Sequence, residues 1–194
     1  MATADAGSAQ RPLRADARRN RDKILAAAVR VFAGEGLDAH LERIAKEAGV
    51  GTATLYRNFA TREALIEAVY RNEVAQLCDA VPGLLAEKPP YEALRAWTRL
   101  FLDYVTAKLG MADALRAIAA AGSNPYGHSR DMIQAAITVL MDACVAAGTI
   151  RTDISPADMG AALAGIALTS ASPDQRQQAE RLLDLTLDGL KARS

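Results

Sequence analysis

Ile44-Ala-Lys-Glu-Ala-Gly-Val-Gly-Thr-Ala-Thr-Leu-Tyr-Arg-Asn-Phe59 is the stretch whose reading decides the fold. Its first part spaces Ile44, Ala45 and Ala48 as one apolar helical face, which Leu41 extends backwards. Gly49-Val50-Gly51 is a turn bracketed by glycines, and Thr52 to Phe59 is a second short helix carrying hydroxyls, an amide and a guanidinium. Two helices fixed at a steep angle by such a turn are the device that lays one helix in the DNA major groove.

Working outward, the apolar positions Ile24, Ala28, Val31 and Phe32 predict a preceding helix from about Arg18, ended by Gly34-Glu35-Gly36. Residues 1–17 are small, polar and basic, and read as a flexible arm. Downstream, Thr61 caps a long fourth helix with the stripe Ile66, Tyr70, Val74, Leu77 and Val81, ended by Pro82-Gly83. Further helices are expected over about 91–108, 111–121 and 129–147, then from Ser155-Pro156 and from Ser172-Pro173 to near Lys191. No alternating strand pattern is present, so the chain reads as all-α with about nine helices. The expected organisation is an arm (1–17), a helix-turn-helix domain (18–65) and a larger helical domain (66–194).

Composition fits that reading. Of 194 residues, 51% are hydrophobic, too many for a disordered chain. No apolar run approaches the roughly 18 residues of a membrane span, and a cytoplasmic protein is expected. The formal net charge is zero, yet between Gln10 and Arg30 the residues Arg11, Arg14, Arg18, Arg19, Arg21, Lys23 and Arg30 face only Asp16 and Asp22. That local excess is what attracts phosphate, whatever the whole-chain sum. Cys78 and Cys144 read as buried free thiols. With His40 and His128 isolated from other ligands, neither a metal site nor a cofactor is expected. No paired carboxylates and no nucleophile beside a base suggest an enzyme.

Phe32-x-x-x-Gly36, Ile44-Ala45-x-x-Ala48-Gly49-Val50, Leu55-Tyr56-x-x-Phe59 and Arg62-Glu63-x-Leu65 together resemble the N-terminal domain of TetR-family transcriptional regulators. Trp97, the segment from Lys108 to Leu115 and the ending from Asp184 to Leu190 resemble the ligand-binding part of actinobacterial members. The resemblance implies a homodimeric repressor, bound to a palindromic operator on double-stranded DNA and released by a small-molecule effector. A helical adaptor that binds protein, or an activator without an effector, is the alternative.

Several residues are expected to form the sites. Thr52 and Ala53 stand at the end of the second short helix that enters the groove, where a hydroxyl or methyl meets base edges. Arg57 is placed to grip either a guanine or a phosphate, and Thr54, Tyr56 and Asn58 to position the backbone. The resemblance implies phosphate contacts at Thr54, Tyr56 and Arg62. His40 stands where the family has a capping Thr or Ser that bonds a phosphate, with Asp38 a candidate to take over the cap, and Gly51 replaces a capping Ser. Arg43 is either a DNA contact or a surface charge, and the basic arm either a solubilising tail or a groove contact. Leu55 and Phe59 should point inward. Trp97, Phe101 and Tyr104 share one helical face with Lys108, a stripe that is either core or the wall of an effector pocket, and Asn124, Tyr126 and His128 lie in a loop that is either plain surface or the mouth of that pocket. The small-residue helix over 157–171 and the leucine-rich last helix are the expected dimer interface.

Overall fold

The computed structural model describes residues 10–169 and 175–192, with side chains from residue 16 onward. Nine helices occur among the described residues: α1 (Gln10–Glu35), α2 (Leu41–Ala48), α3 (Thr52–Asn58), α4 (Arg62–Glu87), α5 (Pro90–Gly110), α6 (Ala112–Ala120), α7 (Ser129–Ala146), α8 (Pro156–Leu168) and α9 (Arg176–Leu190). No strand accompanies them there; Ile150 and Lys191 form a single isolated bridge. None of the described helices is long and apolar enough to cross a membrane.

The period of apolar residues explains each helix, and its ends follow from local chemistry. α2 stops because Gly49 takes a left-handed conformation, φ 66°. Its N–H donates to Lys46 O and the Val50 N–H to Ala45 O, so the last carbonyls of α2 are satisfied before the chain turns. Thr61 caps α4 by accepting from the Ala64 N–H at 3.1 Å. Ser155 and Asp158 form a reciprocal box at the start of α8, with Pro156 as its first residue. The Ser155 bonds hold the Asp158 carboxyl below its ordinary range.

Two boundaries differ from the sequence reading. α1 begins at Gln10, so residues 10–17 continue a helix where an arm was expected. Pro12 lies in its first turn, where a missing N–H breaks no intrahelical bond. Residues 1–9 lie outside the described residues, as does the expected ninth-helix start at Ser172-Pro173. The second difference is Pro82, which sits inside α4 and does not end it. Its imide nitrogen offers the Cys78 carbonyl no donor, a cost of about 3 kcal/mol. The apolar stripe nevertheless runs on through Val81, Leu84 and Leu85, all packed on the core, and this burial outweighs the lost bond.

α4 is the spine of the molecule. It packs on α1, α5, α6 and α7. α1 holds α2 and α3 against this spine, while α8 and α9 close the far side against α7 and α5. Cys78 is half-buried and Cys144 buried, both as free thiols.

Candidate nucleic-acid interface and the cavity behind it

α3 owes its orientation to Leu55 and Phe59. Both are buried in the core cluster that also holds Ile44 and Phe32. That anchorage turns Thr52, Ala53, Tyr56 and Arg57 outward: all four are exposed, Tyr56 to 43% despite its ring. The resulting face carries an aromatic ring, a guanidinium and a hydroxyl in water. Thr54 and Asn58 lie half-buried at the flank.

The polar groups of this face have only weak internal partners. Arg57 Nε donates to Ala53 O at 3.3 Å, and its Nη2 donates to Thr54 Oγ1 at 3.0 Å. Both bonds are exposed and exchangeable for an external acceptor. Asn58 is more firmly held, with its amide donating to Thr54 O at 2.8 Å. The α3 N-terminus is capped by Gly51, which supplies no side-chain bond. His40 precedes α2 in the same manner, exposed and without a cap bond. Asp38 does not replace it: the helix starts at Leu41, leaving Asp38 in the preceding turn.

Two expected DNA contacts are engaged with the protein itself. Arg62 reaches back from the start of α4, and its Nη1 donates to both Leu37 O and, at 2.6 Å, Ala39 O. It fastens the link between α1 and α2. Arg43 pairs with Glu35 at 3.1 Å and Glu47 at 3.5 Å, and Glu47 also takes Arg30 at 3.3 Å. These pairs are exposed, so each contributes little on its own. Together they hold α2 to α1. Arg21 lies 4.5 Å over the Phe59 ring, which brings the basic half of α1 beside the end of α3. Arg18, Arg19 and Lys23 are exposed nearby along the same helix.

Most of the expected effector residues are engaged with one another or with their own loop. Trp97, Phe101 and Tyr104 are buried in contiguous aromatic packing, with ring centroids 6.0 and 5.9 Å apart in succession. The indole Nε1 donates to Leu77 O at 2.9 Å, and the Tyr104 hydroxyl meets that of Tyr70 at 3.2 Å. Burial, followed by the Tyr70 bond, holds the Tyr104 phenol far above its ordinary range. Tyr126 packs edge-on against Tyr70 at 5.5 Å and takes the Lys108 ammonium over its ring at 5.4 Å. The Asn124 amide folds over its own loop, so close that a Cβ on Gly127 would stand 2.7 Å from it. His128 is exposed at the α7 start.

A cavity of about 720 Å³ opens on a different face of α5, between that helix and α1, α4 and α9. None of the six expected residues lines it. Leu102, Val105, Thr106 and Leu109 form the α5 wall. They follow helical spacing too, so α5 carries a second apolar face that the aromatic stripe overshadowed.

The comparisons with known proteins agree with this geometry. Residues 24–69 match the family described as "Bacterial regulatory proteins, tetR family", and residues 89–192 match "Transcriptional regulator SbtR-like, C-terminal domain". The TetR transcriptional regulator SCO0520 from Streptomyces coelicolor has a crystal structure similar to this chain. Identity is 76% and the TM-score 0.83, covering 90% of this chain and 99% of that one. A TetR regulatory protein from Mycobacterium vanbaalenii is 33% identical with a TM-score of 0.75, covering 93% and 100%. An uncharacterised HTH-type regulator of Bacillus subtilis, YvdT, is 38% identical over 65 residues, and that match covers 34% of its length. The chain belongs to the TetR family of bacterial transcriptional regulators.

Proposed function

We propose that the chain is a homodimeric repressor that occupies a palindromic operator in the cytoplasm and leaves it when a small-molecule effector binds. The exposed face of α3, rooted by the buried Leu55 and Phe59, carries this reading. Thr52 and Ala53 would meet base edges, and Tyr56 and Thr54 the flanking phosphates. Arg57 would exchange its two internal bonds for a guanine edge or a phosphate. His40 stands exposed before α2 and would add a phosphate contact. The basic half of α1 would supply the sequence-independent attraction.

A two-turn reader touches few bases, so specificity calls for two copies. α8 and α9 support that requirement. Leu168 is 82% exposed and Leu185 70% exposed, and Ala157, Ala161, Ala164 and Gly165 line the outer side of α8. An apolar helix face of small residues with leucines left in water fits a symmetric partner.

Selection of bound duplexes from random DNA, with the wild type and with Leu185→Arg, tests the proposal. The wild type should run as a dimer and return a palindrome whose half-sites lie about 34–36 Å apart. Leu185→Arg should run as a monomer and lose that enrichment. A monomeric wild type, or a selected sequence without symmetry, would refute the dimeric reading.

A further inference from the structure

The 720 Å³ cavity draws its walls from both halves of the molecule. Val29, Phe32 and Ala33 come from α1, Val69 from the spine α4, Leu102 and Val105 from α5, and Ala179 from α9. Its deeper lining, including Phe32, Val69, Leu102 and Met111, is buried in the core, whereas Leu109 and Ala33 stand exposed at the rim. The volume is that of a small-molecule site.

Its charge pattern selects the occupant. Among the described residues, Asp103 and Arg176 are the only charged groups lining it, and they are paired with each other at 2.7 Å. Glu180 holds the same guanidinium from the other side at 3.1 Å. Arg176 is therefore shared by two carboxylates, and an anion would meet surplus negative charge. A cation would find both carboxylates engaged and would bring its charge against an apolar floor, at a desolvation cost. Thr106 donates its hydroxyl to Leu102 O at 3.0 Å, which leaves its oxygen free only to accept a bond. An uncharged, mainly apolar molecule with one hydroxyl-type donor matches this lining.

We infer that this cavity, wedged between α1 and the α5–α9 wall, is the regulatory site and takes an uncharged, mostly apolar small molecule whose polar end faces Thr106. The assignment rests on the effector-release reading, and it explains the coupling physically. α1 holds α2 and α3 through packing and the Arg43–Glu35 and Arg30–Glu47 pairs. A molecule that fills the space between α1 and α5 fixes the tilt of the DNA-reading unit relative to α9. It thereby favours one of two spacings of the paired α3 helices.

Calorimetry on the full-length dimer with 1-decanol, decanoate and decylammonium tests this, with anisotropy of a selected duplex as a second readout. The expected result is one 1-decanol per protomer, at least tenfold weaker binding of both charged analogues, and at least a tenfold loss of duplex affinity on saturation. Ala107→Trp and, independently, Ala33→Trp fill the cavity from opposite walls and should abolish 1-decanol binding; Ala86→Trp, outside the lining, should not. Failure of 1-decanol to bind overturns the site, as does equal binding of the charged analogues. So does 1-decanol binding that survives both fillings in variants with wild-type melting. Binding that both fillings abolish, with duplex affinity unmoved, supports the cavity as a ligand site and overturns effector release.

Discussion

Arg62→Ala separates two roles for one guanidinium. From the first turn of α4, Arg62 donates to the carbonyls of Leu37 and Ala39 and so ties down the link that leads into α2. A hydrogen bond from a charged donor contributes about 1.5–3 kcal/mol when buried, and the half-buried position of this group reduces each to roughly half. A cation at a helix N-terminus opposes the dipole by about 0.3–1 kcal/mol. The net loss on removing Arg62 is therefore about 1.5 kcal/mol. Urea denaturation at fixed protein concentration should show this loss, and Arg62→Lys should recover about half, since an ammonium lacks the planar fork. Affinity for the selected duplex should fall at every salt concentration, because α2 and α3 lose their fixed placement. The slope of log affinity against log salt should remain that of the wild type, whereas a lost phosphate contact makes it shallower by about 0.9. Unchanged stability together with a shallower slope would refute the clamp.

Trp97 is the sole tryptophan, fully buried and bonded to Leu77 O; its native emission should be blue-shifted and resist acrylamide, and red-shifted native emission would contradict this packing. The Tyr104 phenol is neutral in the fold and held above its ordinary value by burial and by Tyr70, so its contribution is complete below about pH 10 and falls as pH rises through the unfolded value. Tyr104→Phe should cost about 1–2 kcal/mol at pH 7 by leaving the Tyr70 hydroxyl without its partner, and urea midpoints at pH 8 and 10.5 should differ less in the variant than in the wild type. The glycines around the turn should respond with opposite signs in chemical denaturation. Gly51→Ser, at φ −69° in open space, should stabilise by about 0.5–1 kcal/mol, and Gly49→Ala, at φ +66°, should destabilise by about 1–2 kcal/mol.

The helix-turn-helix was legible because its signals are local. Gly49 closes α2 by its own backbone freedom, and Leu55 and Phe59 are apolar at the spacing that must face inward. Pro82 misled for the opposite reason: what carries α4 past it is the packing of Leu84 and Leu85 on the core, which a local proline signal does not register. Arg62 was legible as a charge at a helix start, but its partners are backbone carbonyls, which leave no mark in a side-chain pattern. The aromatic stripe of α5 was the hardest to read. An aromatic stripe at helical spacing looks the same whether it fills a core or lines a cavity, and Trp97, Phe101 and Tyr104 fill the core. The cavity belongs to the less conspicuous aliphatic face of α5, and only the docking of α1 and α9 reveals it. The Asp103–Arg176 pair crosses between α5 and α9 and has no local sequence signature.

The most direct test of the claim that the outer face of α3 reads DNA is the affinity of Thr52→Ala/Tyr56→Ala for the selected duplex at fixed salt, measured by fluorescence anisotropy beside a thermal melt. Both side chains are exposed, so the melting midpoint should match the wild type while affinity falls at least thirtyfold. Duplex affinity within threefold of the wild type, in a protein that melts normally, would contradict the account.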